Sequence, residues 1–448
     1  MEGITLIIAL LASVLVFALS PIYGLIVYIA AFAWYPTYLS VQLGTLDFTV
    51  RRIIILAVLA KLFLATGLPG RFKFIWLDKL IVIYFLAAIL AGTTTAVSFG
   101  ALLENQAGQI FDTVLPYFAV RMIIQNKQQY LTLLKGILII AIPLAIVGFY
   151  QCLTGNNPVG FLKQYAAWVT TPDVPWHRAG FFRADVTFPI SIMFGLFFAM
   201  FGPVCAGILG YVKKYKIFYW IALGLMGIGI FSSMSSGPML VASLAVLFIA
   251  VYRWRKYWKL LGAVVIVMCL VVEIISNRHF YDVLGGFTLS PSSAWYRSRL
   301  IQVGLFEGGM SGHWLTGYGW GVDPGWSAKI DLRNHTDLGA NQYLAILSSF
   351  GLVGLVPFLA MNIGVAKRLV DAFKTSALDS DRWLIWCLSA AFFGLAGGLM
   401  SVAMVEQPTT IYYMMIGFVG VMPGIVTQPN RMIPQCNAIG RNKQELFI

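Results

Sequence analysis

Apolar runs of bilayer length recur along this chain, and no other feature of the sequence limits its fold so sharply. A helix needs about 20 predominantly apolar residues to cross a hydrocarbon core. Runs meeting or approaching that length lie near 3–20, 21–38, 53–68, 80–98, 109–124, 130–150, 188–211, 217–233, 236–252, 260–276, 342–364, 383–404 and 411–427. They are continuous, which excludes a β-barrel, whose strands read as roughly 10-residue segments of alternating polarity. Composition agrees: 59% of the 448 residues are hydrophobic and 11% charged, against about 45–50% and about 25% in soluble domains. The expected fold is all-α, a polytopic transmembrane bundle of 12–13 helices. The first run, "ITLIIALLASVLVFALS", lacks a basic leader and a small-residue cleavage site, so it reads as a retained helix.

The net charge of +13 has a membrane explanation rather than a nucleic-acid one. Lys and Arg gather between the runs in "GRFKFIWLDK" (70–79), "KKYK" (213–216), "RWRKYWK" (253–259), "KRLVDAFKTSALDSDR" (367–382) and "RNK" (441–443). Cytoplasmic loops carry such an excess, and these stretches alternate correctly for one side. The partner they imply is the lipid bilayer. Arg51 and Arg52 fall on the opposite side: either an early helix is misdrawn or they act there. The five cysteines show no paired spacing, so neither a metal site nor a disulfide framework is read from them.

This topology divides the chain into N-terminal helices (1–150), a first outer loop (151–187), further helices (188–276), a large outer loop (277–341), C-terminal helices (342–427) and a cytoplasmic tail (428–448). All four histidines, His177, His279, His313 and His335, lie in the two outer loops. So do two arginine pairs: Arg178 with Arg183, and Arg297 with Arg299. Arginine is a permanently charged fork suited to phosphate. Snorkelling to the interface is the plainer use of any one of them, but anchoring arginines are expected mainly inside. The carboxylates Asp282, Glu307, Asp323, Asp331 and Asp337 form no D-x-D or D-D-x-x-D in these loops, which disfavours metal catalysis. Glu273 reads as structural. The turn "SSMSSGPML" (232–240) joins two helices and lacks the G-x-S-x-G elbow of a catalytic serine. Trp168, Trp176, Trp295, Trp314, Trp320 and Trp326 suit either sugar stacking or interfacial anchoring.

Over about half its length the chain resembles the O-antigen ligase and polymerase family of bacterial envelope proteins. The resemblance rests on "RAGFFRADVTFPISIMFG", on the serine turn, and on an arginine about 18 residues before a G-x-G, here Arg299 before Gly317 and Gly319 in "TGYGWG". Arg297, which follows "WY", fits the aromatic context better, so both stay candidates. "HTDLGANQYLAILSSFGLVGLVPFL" supplies Asn341, Gly351 and Gly354, but the histidine expected immediately before the asparagine is Ala340. His335, six residues before Asn341, is the remaining candidate base, and that departure leans toward the polymerases.

The resemblance implies a GT-C-like glycosyltransferase of the bacterial inner membrane with its active loops facing the periplasm. It would transfer a glycan from an undecaprenyl-pyrophosphate-linked oligosaccharide to a glycan, lipid or protein acceptor, without cofactor, metal or nucleic acid. Arg183 with Arg297 or Arg299 would stabilise the departing pyrophosphate and His335 would accept the acceptor's proton. Arg178, Asn341, Gly317, Gly319 and Trp320 would bind substrate. A transporter or flippase for a lipid-linked sugar or small anion is the alternative, and an assembly scaffold a further one.

Overall fold

The structure, a computed structural model, describes residues 1–44, 46–66, 72–96, 98–166, 176–275, 291–330 and 340–427. It is an all-helical bundle of the multi-pass membrane kind. Among the described residues six helices are long and apolar enough to cross a bilayer: Trp76–Thr95, Lys127–Thr154, Ser191–Gly210, Ser236–Tyr257, Gln342–Thr375 and Gln407–Thr427. Glu2–Ala18, Pro21–Trp34 and Lys216–Ser232 are apolar but shorter. The run expected at 109–124 is the end of a longer irregular helix, which starts at Phe99, loosens over Ile110–Val114 and continues to Ile123. Sheet is confined, among the described residues, to two small hairpins, Ser40–Leu43 with Leu46–Thr49 and His177–Arg178 with Phe181–Phe182.

The helices at the centre are those apolar on all sides. Ser191–Ala206 buries Phe194, Phe197, Phe198 and Phe201 completely, with edge-to-face pairs at 5.0 Å (Phe194–Phe198) and 5.2 Å (Phe197–Phe198). Such pairs add about 0.5–1.5 kcal/mol beyond burial. Gln407–Thr427 is buried over most of its length and packs against it. Gly195 lets the serine turn approach: a Cβ there would stand 2.5 Å from Ser233 Oγ and 2.8 Å from Pro238.

Arg51 and Arg52 are internal counter-ions. Arg51, 2% exposed, pairs with Asp112 at 3.1 Å and Glu406 at 2.5 Å, and Arg52 reaches Asp112 at 2.7 Å. The cluster ties the Val50–Thr66 helix to the irregular Ile110–Val114 turn and to the link before Gln407–Thr427. Two arginines meet two carboxylates there, so the charges cancel.

The helix Gln342–Thr375 breaks at Gly351 (φ 61°, ψ −159°), a conformation available essentially to glycine alone. The groups freed by the break are taken up by segment 314–319. Tyr318 and Gly319 donate N–H groups to Ser348 O (2.7 Å) and Ser349 O (3.2 Å), and Leu352 and Val353 donate to Trp314 O (2.8 Å) and Leu315 O (3.1 Å). Gly317 is required for the contact, since a Cβ on it would meet Ser348 O at 2.5 Å. Segment 314–319 is thereby seated against the bundle. Around it a small second core gathers Leu300, Val303, Met310, Trp326, Ile330, Leu344 and Leu347.

Two outcomes are expected. Arg51→Ala removes the partner of Glu406, leaves Asp112 with Arg52 alone and lowers stability by about 3–5 kcal/mol, whereas Arg52→Ala, at a less buried position, costs less; thermal unfolding in detergent ranks them. Gly351→Ala places a methyl group 2.2 Å from Leu315 O, so trypsin should release the 291–330 segment from folded variant faster than from wild type.

Candidate functional site

Arginines from two distant segments converge on one cavity of about 280 Å³. Arg178 and Arg183 reach it from the hairpin, and Arg297 from the helix Pro291–Ile301. Ser235, Ser236, Tyr296 and Ser401 complete much of the wall.

The hairpin pairs His177 with Phe182 and Arg178 with Phe181. Its turn, Ala179 (φ 52°) and Gly180 (φ 82°), has positive φ at both central positions, as two-residue hairpins favour. Ala179 accepts that conformation at a cost of about 1–3 kcal/mol. Phe181 meets Phe231 edge-on at 5.3 Å, and Ala184 N–H donates to Ser232 O at 2.9 Å, so the hairpin is clamped to the serine turn. A second strained residue, Met234 (φ 43°), lies in that turn.

The polar contacts focus on the start of the Ser236–Ala250 helix. Arg183 Nη2 donates to Ser235 Oγ at 2.8 Å, and Arg178 Nη1 reaches Met234 O at 3.5 Å. Arg297 Nη1 and Nη2 lie 3.5 and 3.4 Å from Ser236 Oγ. Ser235 occupies the N-cap position, yet its hydroxyl makes no cap hydrogen bond. The first N–H groups of a helix have no partner within it, and this is its positive end.

Among the described residues neither Arg178 nor Arg183 forms an ion pair. Asp185, two residues from Arg183, is committed elsewhere: it binds Lys163 and accepts from Gln151 Nε2 and Asn157 Nδ2, both at 3.0 Å. Burial, then repulsion from Arg178, push the Arg183 guanidinium down to about 10, against the pull of Asp185. Its Nε is buried without a partner. Desolvated cations, serine hydroxyls and a helix N-terminus are together an arrangement with the chemistry to receive a multivalent anion.

The other candidates sit elsewhere. Arg299 is two positions from Arg297 on one helix, roughly 200° around it. It pairs with Glu307 and donates to Lys329 O at 3.2 Å, away from the cavity wall. Asn341, 5% exposed, caps the helix Gln342–Thr375 through Leu344 N at 3.1 Å, next to the lining residue Ala340. Gly317 and Gly319 serve the docking at the Gly351 break. Trp320 is half-exposed and stacks on Phe350 at 5.7 Å. Trp326 is 2% exposed and donates to Gly309 O at 3.0 Å, so it has no face for a sugar. His335, His279, Trp168, Asp282, Asp331 and Asp337 lie outside the described residues.

Sequence reasoning passed over Ser401 and Val402, which line the cavity from the link between the last two helices. Their only signal was the polar stretch "SVAMVEQPTT" after a helix ending in two glycines. Asp185 and its network were also missed, although "RAD" places a carboxylate beside Arg183. The chain matches no protein-family model and no curated protein.

The strained state of Arg183 has a measurable consequence. A guanidinium lowered on folding costs stability fully at every pH below about 10, and that cost fades only as pH rises from 10 toward its ordinary value. Arg183→Met is therefore expected to raise Tm by about 1–4 °C, equally at pH 6 and pH 8. Inorganic pyrophosphate should raise the Tm of wild type and leave the variant's unchanged; differential scanning fluorimetry reads both.

Proposed function

We propose that this chain is a metal-independent glycosyltransferase that moves a glycan from an undecaprenyl-pyrophosphate carrier to an acceptor hydroxyl, as a polysaccharide polymerase or ligase. The observation that carries the reading is the convergence of Arg178, Arg183 and Arg297 on a cavity at a helix N-terminus. In this reading the architecture is GT-C-like, the membrane is the bacterial inner membrane, and the cavity faces the periplasm. The charge pattern of the loops supports that orientation.

The chemistry asked of the site is narrow. The acceptor oxygen attacks the anomeric carbon, the bond from that carbon to the pyrophosphate oxygen breaks, and the pyrophosphate leaves with the electron pair. Charge grows on the leaving group as the bond opens. Fixed cations there hold the transition state more strongly than the ground state, which is the condition for catalysis. Arg183 and Arg297 take that role in our assignment, and Arg178 holds the distal phosphate. The acceptor's proton goes to His335, histidine being the side chain type suited to a general base near neutral pH. One displacement inverts the anomeric centre. A transporter would want a broken helix with open carbonyls at its midplane, and the break at Gly351 has its Ser348 and Ser349 carbonyls occupied by segment 314–319.

The test is glycan synthesis by the purified protein in liposomes, with an undecaprenyl-pyrophosphate oligosaccharide and EDTA present. Arg183→Ala and Arg297→Ala are each expected to lower the rate by about 10²–10³, His335→Ala to abolish most of it, and Arg299→Ala to stay within a few-fold of wild type. Loss in Arg299→Ala with retention in Arg297→Ala would reverse the assignment of the two. Absence of product from correctly folded wild type would return the chain to the transporter class.

A further inference from the structure

The opposite end of the bundle carries a second cavity, of about 430 Å³, unconnected with the proposed chemistry. It lies where the start of the helix Trp76–Thr95 meets the last turns of Gln342–Thr375 and Gln407–Thr427, lined by Trp76, Lys367, Arg368, Asp371 and Pro423 among others. The arginine cavity borders the beginnings of the latter two helices, so the two cavities sit at opposite ends of both.

The cationic groups here are set for a ligand. Pro423 has no N–H to give to the carbonyl four residues earlier, that of Val419. Arg368 Nε donates to Val419 O at 3.3 Å and Nη2 to Gly420 O at 2.7 Å, which fixes the guanidinium and leaves Nη1 without a partner among the described residues. Lys367 forms no hydrogen bond or ion pair among them either, and Asp371 forms no ion pair. The neighbouring Arg121 is neutralised by Asp78, which is fully buried. Two cations therefore outweigh one carboxylate in the cavity.

What adjoins the cavity identifies the class of occupant. Leu352, Val356, Leu359 and Ile363 recur at three- and four-residue spacing up to Lys367, hence on one face of the helix. They are 40%, 58%, 40% and 69% exposed. An apolar track of that kind leading to a basic pocket fits a phosphodiester with acyl chains attached, and a free phosphate would have no use for it. Trp76, 63% exposed at the rim, is the residue type that settles at headgroup depth. Basic pockets between membrane helices hold anionic headgroups. We infer that this cavity binds the headgroup of one anionic phospholipid, its phosphodiester held by Lys367 and Arg368.

Native mass spectrometry of the full chain, released from detergent with phosphatidylglycerol, phosphatidylcholine or inorganic phosphate, tests this. One phosphatidylglycerol should be retained over phosphatidylcholine by about fivefold or more, and Lys367→Gln should reduce that preference about fivefold. Lys367 is exposed and unpartnered, so the substitution leaves the fold intact. Lys374→Gln, exposed at the same end but outside the lining, should leave the preference unchanged. Equal retention of the two lipids, indifference to Lys367→Gln, or an equal loss in Lys374→Gln would each overturn the inference. Displacement of the lipid by millimolar phosphate would replace it with a free-phosphate site.

Discussion

Keeping cations out of water is the constraint on which the rest of this structure turns, and the chain meets it in two opposite ways. At Arg51 and Arg52 the charge is cancelled by Asp112 and Glu406, and the result is a joint between three segments. At Arg178 and Arg183 no carboxylate among the described residues cancels it. Asp185, the carboxylate two residues from Arg183, is bound instead by Lys163, Gln151 and Asn157. The backbone on either side, at Ala179 and Met234, is itself strained. Strain and unrelieved charge in one place are what a binding site looks like before its ligand arrives.

The serine turn shows how local sequence serves that arrangement. A hydroxyl at Ser235 would ordinarily close the helix that follows it. Here it accepts from Arg183, and the helix start stays open toward the cavity. One turn thus contributes both a hydrogen-bond acceptor that steadies the arginine and donors that add to its field. Gly195 allows this turn to lie directly on the central helix, so the site rests on a helix buried over most of its length.

Much of this was legible in the sequence, because a bilayer reduces secondary structure to a question of apolar length. Each apolar run overlaps a helix, though among the described residues six of those helices are long and apolar enough to cross a bilayer. The arginine pairs and the serine turn were legible as residues, but their meeting was not, since 178–183, 232–236 and 291–301 come together only by tertiary packing. Counting back from "GYGWG" could not choose between Arg297 and Arg299. The structure places Arg297 on the cavity wall and Arg299 against Glu307, as residues two apart point to nearly opposite sides of a helix. The glycines of that motif were read as substrate-binding residues. The structure docks their backbone against the break at Gly351, and only the pairing of 314–319 with 348–353 reveals that contact. Glu406, five residues past Ser401, gave no sign of its bond to Arg51, because a contact across 355 positions leaves no trace in local pattern.

That docking also dictates an order of assembly. Segment 314–319 leaves the ribosome before residues 348–353, the strip of backbone that completes its hydrogen bonds. Until the later helix is in place, the Tyr318 and Gly319 amides lack the Ser348 and Ser349 carbonyls they donate to. The second core around Trp326, which draws Leu344 and Leu347 from the same late helix, is likewise incomplete until then. The part of the molecule that presents Arg297 to the cavity therefore acquires its final shape among the last steps of biogenesis, after most of the membrane bundle that holds Arg178 and Arg183 is already in place.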